Sequence, residues 1–285
     1  MTNEAPVDRA ELLGGLTDLA VVAGAVIWEH FQGECAVETK RDASPVTAAD
    51  RAAEAVILEG LARLAPNTTV IAEEEVEAGR IPKVGRRFFL VDPLDGTKEF
   101  IRRGTDFTVN IGLIEDGAPT LGVVYAPARS QLWWGDATLG KAWCAEQAPQ
   151  GNRRGERRIR VSVVALPLRA VASKSHSTPP TEAWLSAAGV GRRLSIGSSL
   201  KFALVAEGEA DVYPRPAPTM EWDTAAGDAI LRAAGGRVFD LDGDVLAYGK
   251  AGFFNPGFVA TGPYDPSPLR PFLERGEAPE PARQR

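Results

Sequence analysis

Histidine and cysteine are nearly absent from this 285-residue chain, which has two of each: His30, His176, Cys35 and Cys144. So few imidazoles and thiols exclude a zinc centre built from nitrogen and sulfur. The two cysteines are far apart and neither lies in a C-x-x-C motif, so there is no disulfide framework. Each is read as a small buried hydrophobe, and a reducing, cytoplasmic location fits best. Any metal must therefore be bound mostly by oxygen. Long apolar runs are lacking too. LAVVAGAVIW, at 19–28, is too short to span a bilayer, and no basic segment precedes it. Neither a signal peptide nor a membrane insertion is expected. A basic surplus is also missing. A net charge of −6 and a pI near 5.2 argue against coating a nucleic-acid polymer. A small phosphate ligand needs only a few placed donors and stays open.

What is present is enough hydrophobic sequence, 44%, for a packed core. Residues 8–31 form an amphipathic pattern with Leu12, Leu16, Leu19, Ala23 and Ile27 near one face, as in a core helix. A second helical pattern over 50–65 turns Ala53, Val56, Ile57, Leu61 and Leu64 inward and ends at Pro66-Asn67. TVIAEEE is a short strand running into an acidic cluster, and RRFFLVD is another strand. FTVNIGLIEDG and TLGVVYAP alternate around the Asp116-Gly117 turn, as antiparallel partners do. Trp133 and Trp134, in the β-rich stretch that follows, are packing residues. The stretch APQGNRRGERR, 148–158, is basic and non-periodic, and is read as a solvated surface loop between two halves. The expected division is 1–150, antiparallel-rich, and 159–275, where helix and strand patterns alternate as in an α/β unit. The polar tail 276–285 is expected to fray.

Candidate chemistry starts at VDPLDGTKE, 91–99. Asp92 and Asp95 follow the apolar run Phe88-Phe89-Leu90. A D-x-x-D-G segment is often an ordinary solvated turn. Three features point instead to a cation. A mostly apolar strand sets where the two acids lie. Pro93 fixes φ and Gly96 permits a left-handed turn, so both carboxylates and the Leu94 carbonyl can face one point. Other acids also stand at element ends: Glu73 after TVIA, and Asp223 before the helix that follows Trp222. Carboxylates, carbonyls and water are the ligand set that Mg²⁺ prefers, and several carboxylates can serve two ions. Donors lie downstream. Gly197-Ser198-Ser199 precedes a helix, where serine is an ordinary N-cap but free amides also receive phosphate, and Lys201 adds a charge one turn in. Asp223 can cap its own helix. Arg215, in YPRPAP, has a solvated loop as its plain alternative.

Taken together, VDPLDGTKEF and WDTAAGDAILRAAGG resemble the two signature motifs of the inositol-monophosphatase-like superfamily, Mg²⁺-dependent and lithium-sensitive phosphatases. The resemblance runs from SPVTAAD, 44–50, to FFNPGF, 253–258. Within that superfamily the chain is most similar to the CysQ-type 3′(2′),5′-bisphosphate nucleotidases. That likeness rests on Leu94, Lys98 and Glu99 and on the segments SKSH, GSSLKF, LVAEGEADVYPR and PTMEWDTAAGD. It implies a layered αβαβα sandwich of class α/β, with metals in the cleft between halves, and a monomer or homodimer. It implies hydrolysis of 3′-phosphoadenosine 5′-phosphate to AMP and phosphate, a disposal step in sulfur assimilation. Carried over position by position, Glu73, Asp92, Asp95, Asp223 and the Leu94 carbonyl match the ligands of two or three Mg²⁺ ions. Asp50 and Thr97 match the pair that orients the attacking water for in-line attack. Gly96, Thr97, His176, Ser198, Lys201 and Arg215 match substrate contacts, with Glu74 behind the ligands and Glu75 at the surface. Ala72 departs from the commoner Gly or Ser before Glu73, and the basic stretch 148–158 is longer than usual.

Two other readings stay open at this point. One is a phosphatase for inositol monophosphate or fructose 1,6-bisphosphate. The other is a non-catalytic Mg²⁺- or nucleotide-binding scaffold, against which the intact acidic set speaks. A P-loop NTPase is excluded because Gly-Thr-Lys at 96–98 has the wrong order.

Overall fold

The expected helices and strands form, and they stack in five layers. The computed structural model describes residues 8–33, 37–39, 45–173 and 178–267. The outer layer is α1 (Arg9–Gln32) followed, after the short strands β1 (Val37–Thr39) and β2 (Pro45–Thr47), by α2 (Ala48–Leu64). Helix α1 is long and apolar enough to cross a bilayer, yet half of its most apolar window is buried inside the protein. Leu12, Leu16, Leu19, Ala23 and Ile27 are all buried, as the periodicity predicts. In α2, Ala53, Ile57 and Leu61 are buried, while Val56 and Leu64 pack at the margin. Gly60 lets the two helices cross closely: a Cβ there would meet Leu19 Cδ1 at 2.3 Å.

The first sheet lies beneath. It contains β3 (Thr69–Ala72), β4 (Arg87–Asp95), β5 (Thr108–Glu115), β6 (Ala118–Ala126), β7 (Gln131–Asp136), β8 (Lys141–Glu146) and β9 (Arg154–Ile159), in that spatial order among the described residues. Only β3 and β4 run parallel in it; the rest alternate in direction. Two five-residue helices interrupt the sequence, α3 (Glu73–Glu77) after β3 and α4 (Thr97–Ile101) after β4. The β5–β6 turn has φ of 52° at Asp116 and 77° at Gly117, the left-handed pair a tight hairpin needs. Trp133 and Trp134 are buried, and Trp134 stacks on Trp143 with centroids 6.2 Å apart.

The stretch 148–158 corrects the sequence reading. Residues from Arg154 onward are not a loop but edge strand β9, paired antiparallel with β8. The first sheet thus runs to Ile159, past the expected boundary at 150. The apolar alternation that signals a strand is missing because all of β9 except Ile159 is exposed. Arg153 and Arg158 lie over the rings of Trp134 and Trp143 instead, so the guanidinium groups supply the packing.

The second sheet contains β10 (Leu168–Ser173), β11 (Val190–Ile196), β12 (Val212–Arg215), β14 (Arg237–Asp240) and β16 (Phe258–Thr261), in the order β11-β10-β12-β16-β14. Helix α5 (Pro179–Ala187) covers its outer face. Between the sheets lie α6 (Leu200–Ala206) and α7 (Ala225–Ala233), within the largest core cluster. The small strands β13 (Thr219–Met220) and β15 (Phe254–Asn255) pair beside them.

Helix α7 packs unusually close to the first sheet. Gly112, Gly122 and Gly135 are cross-strand partners on β5, β6 and β7, and together they form a groove without side chains. A Cβ on Gly122 would lie 2.2 Å from the Ala226 carbonyl oxygen and 2.8 Å from Ala229 Cβ. Both contacts belong to α7, whose N-terminus follows Asp223. Gly122→Ala is therefore expected to push α7 outward and cost about 2 kcal/mol, as overpacking of a tight core does. Thermal unfolding should show a Tm lowered by roughly 4–8 °C at the size scaling of such domains. An unchanged Tm would show that α7 shifts freely.

Candidate active site

The site begins with an irregularity in β4. Asp92 pairs with Asn110 and Asp95 with Thr108, so three steps on β4 oppose two on β5. Pro93, which has no N–H to offer the ladder, falls in this bulge. The bulge turns Asp95 into a cavity of about 300 Å³ while Asp92 stays behind it, 2% exposed. Asp92 Oδ1 accepts the Leu94 N–H at 2.9 Å, which holds the turn. Gly96 then adopts φ 96°, and a Cβ there would meet the Asp106 carbonyl oxygen at 2.6 Å. Glycine is needed for both reasons.

Thr97 opens α4 on the cavity wall. Its hydroxyl lies 3.0 Å from Asp50 Oδ1 and 3.1 Å from the Leu94 carbonyl. Asp50 is itself fixed: Oδ2 accepts the Thr47 N–H at 2.8 Å and the Thr47 hydroxyl at 2.6 Å, in the capping box of α2. A helix cap and a candidate catalytic contact therefore share one buried carboxylate.

Glu73, Asp95 and Asp223 line the same cavity and come from three separate elements. Burial and the Asp223 charge push the Asp95 carboxyl up, while Lys201 and Arg215 pull it down. Among the described residues, no three His, Cys, Asp or Glu side chains already converge as a metal cluster. The donors are nevertheless all oxygen, negatively charged and set on rigid element ends, which fits a hard divalent cation such as Mg²⁺.

Asp223 does not cap its helix, contrary to the sequence reading. Thr224 takes the N-cap position without a side-chain bond, and Asp223 Oδ2 turns back to the Thr219 hydroxyl and to the Met220 N–H at 3.0 Å. The FFNPGF segment explains this turn. Asn255 Nδ2 donates to Thr224 Oγ1 at 3.0 Å, and the Glu221 N–H donates to the Phe253 carbonyl at 2.8 Å. Those bonds tie 219–224 to residues 253–255 and set the direction of Asp223.

Ser198 Oγ accepts the Leu200 N–H at the start of α6 at 3.5 Å, but Ser199 does something other than capping. Ser199 makes no cap bond to α6; its hydroxyl meets Asn110 Oδ1 at 2.6 Å and Thr108 Oγ1 at 2.8 Å. This stitch joins β5 of the first sheet to the start of α6. Ser198 lines the cavity with φ 48°, a left-handed conformation that costs a non-glycine residue about 1–2 kcal/mol. Lys201, 4% exposed, donates to the Ser198 carbonyl and lies 5.4 Å from the Tyr213 ring centroid. Burial lowers its pKa, opposed by the Asp95 carboxylate. Arg215 lines the cavity with Tyr213 and donates to the Pro218 carbonyl at 3.3 Å. Two cations, buried Lys201 and half-buried Arg215, thus line the same cavity as Thr97. His176 lies outside the described residues.

Two contributors are not evident from the sequence. Tyr213 has a usable signal, since strand periodicity puts it on the same face as Arg215. Asp106 has none. It is 5% exposed, accepts the Gly197 N–H at 3.0 Å, and binds Arg129 at 2.5 Å, so it fixes the 197–199 turn against the first half.

Comparison with known proteins identifies the family. The inositol monophosphatase family pattern matches residues 8–263. The chain is 48% identical over 253 residues to the 3′(2′),5′-bisphosphate nucleotidase CysQ of Salmonella typhimurium, covering 88% of this chain and 99% of that one. It is 46% identical over 250 residues to the CysQ of Escherichia coli K12, covering 87% of this chain and 98% of that protein. The crystal structure of CysQ from Bacteroides thetaiotaomicron superposes with a TM-score of 0.76 at 35% identity, covering 91% of this chain and all of that one. With its layers, its acid-lined cleft and these relatives in accord, the chain belongs to the inositol monophosphatase family.

Proposed function

We propose that this chain is a 3′(2′),5′-bisphosphate nucleotidase that hydrolyses the 3′-phosphate of 3′-phosphoadenosine 5′-phosphate, releasing AMP and phosphate. The observation that carries this reading is the cavity itself. Glu73, Asp95, Thr97 and Asp223 line it together with the cations Lys201 and Arg215, and Thr97 bonds to Asp50. A monophosphate needs only the acidic set and the Asp50–Thr97 pair; a second phosphate is matched by the two cations. The relatives that share nearly half their residues with this chain carry the same activity in their names.

Glu73, Asp92, Asp95, Asp223 and the Leu94 carbonyl are assigned as the holders of two or three Mg²⁺ ions. When bound, Mg²⁺ supplies charge neutralisation at the phosphoryl group and a lowered pKa for water. Thr97 donates its one proton to Asp50 Oδ1, which leaves its lone pairs to accept from the attacking water. As that water bonds to phosphorus in line, its proton passes to Thr97 and the Thr97 proton to Asp50, while the P–O3′ bond breaks and the 3′-oxygen of AMP takes a proton from solvent. The Gly96 and Thr97 amides orient the scissile phosphate. Ser198, Lys201, Arg215 and, by family likeness, His176 hold the other phosphate. Most of the rate arises from positioning and charge, as is usual for phosphoryl transfer.

The test is phosphate release, with Mg²⁺, from 3′-phosphoadenosine 5′-phosphate, inositol 1-phosphate and fructose 1,6-bisphosphate. The nucleotide should give the highest kcat/KM. A higher value for inositol 1-phosphate would overturn the assignment, and no release from any of the three would favour a binding scaffold. Lys201→Met, which keeps the volume but removes the charge, is expected to raise KM for the nucleotide roughly 10-fold, the value of one charged hydrogen bond. KM for a monophosphate should barely change. Equal effects on both would remove Lys201 from phosphate recognition.

A further inference from the structure

We infer that Glu54 is a positioning residue for Glu73, acting as a cap for α3 supplied from another helix. This rests on the assignment of Glu73 as a Mg²⁺ ligand. Helix α3 begins at Glu73, and its own N-cap residue, Ala72, has no side chain that can accept a hydrogen bond. The first amides of a helix need acceptors. Glu54, 20 residues earlier than Glu74 in the chain, provides one. Its Oε2 accepts the Glu74 N–H at 2.9 Å.

The location of Glu54 supports a specific role over a solvated one. It sits in α2 and is only 4% exposed, among the repelling carboxylates of Glu74 and Glu75. A carboxylate buried beside like charges persists when its oxygens are bonded where they are needed. Asp50 and Glu54 are four residues apart and so share one face of α2. Asp50 reaches Thr97, and Glu54 reaches the start of α3. One rigid helix therefore sets the spacing between the pair that orients water and the first acidic ligand. Without Glu54, α3 loses its cap, and Glu73 loses its fixed approach to the cavity.

The experiment is calorimetric titration of Mg²⁺ into the whole chain without substrate, comparing the unsubstituted protein with Glu54→Gln and Glu54→Ala. Loss of a group that orients a metal ligand weakens metal affinity about 10–100-fold. Glu54→Ala should fall in that range. Glu54→Gln keeps the volume and one acceptor oxygen, and its affinity should fall less. KM for 3′-phosphoadenosine 5′-phosphate at saturating Mg²⁺ should stay unchanged in both. If Glu54→Ala does not fold, a several-fold weaker Mg²⁺ affinity in folded Glu54→Gln supports the role and an unchanged one overturns it. Unchanged affinity in both variants, with only Tm lowered, would reduce Glu54 to a packing residue. An unsubstituted protein that binds no Mg²⁺ would overturn this inference along with the Glu73 assignment. One that binds Mg²⁺ but hydrolyses no nucleotide would sink the proposed activity alone.

Discussion

Asp95→Asn is expected to leave the protein folded and nearly inactive, with kcat lowered on the order of 10³-fold. The size follows from the several kcal/mol of charge stabilisation a catalytic cation supplies, at about 1.36 kcal/mol per tenfold in rate. The fold should survive because asparagine has nearly the same shape. The substitution also removes a charge that Asp223 repels. Circular dichroism and thermal unfolding in Mg²⁺-free buffer should therefore match the unsubstituted protein, while Mg²⁺ binding by calorimetry weakens. Full phosphatase activity in a folded Asp95→Asn protein would refute the ligand assignment.

The second large effect is expected at Thr97. Thr97→Val keeps the shape of the side chain and removes the hydroxyl that links water to Asp50. Positioned proton transfer is worth about 10²–10⁴-fold, and kcat should fall within that range with KM little changed. Asp50 Oδ1 would lose its bond at 3.0 Å to Thr97, while Oδ2 keeps both bonds to Thr47. Losing one hydrogen bond to a charged group costs about 1.5–3 kcal/mol, so a modest drop in Tm should accompany the lost rate. Thr97→Ser, which restores a hydroxyl, separates the two effects. It should recover most of kcat. Equal impairment in the serine and valine variants would argue that Thr97 acts through packing alone.

Both predictions concern residues that are legible in the amino-acid sequence alone. Asp95 and Thr97 lie in one short segment, and the need for a glycine between them is visible as Gly96. Elements with strong periodicity are equally legible. Helices α1 and α2 form where the apolar spacing predicts, with the predicted faces inward. The β5–β6 hairpin is readable from its alternation and its Asp-Gly turn. Strand β9 is not, because an exposed edge strand buries no face and leaves no alternating pattern to find.

Polar roles divide the same way. Ser199 and Asp223 stand beside helix starts in the sequence, where a cap is the default local role. In the fold, Ser199 bonds to Asn110 and Thr108, and Asp223 bonds back to Thr219 and Met220. The competitor that wins is a partner brought close by the tertiary structure. Asp106 and Glu54 are the clearest cases. Each satisfies a backbone amide of a distant segment, and neither belongs to a motif.

By itself, then, the sequence determined the family and, through its motifs, the chemistry proposed for it: oxygen ligands, an oriented water and cations for a second phosphate. These are encoded locally, in residue types and short spacings. Only the tertiary structure decided what holds that chemistry in place. The glycine groove that admits α7, the Asp106 bond to the 197–199 turn and the Glu54 cap all join residues distant in the chain. Their energies come from close packing and from satisfying buried polar groups. Both depend on where other elements come to rest, and a linear pattern does not contain that information.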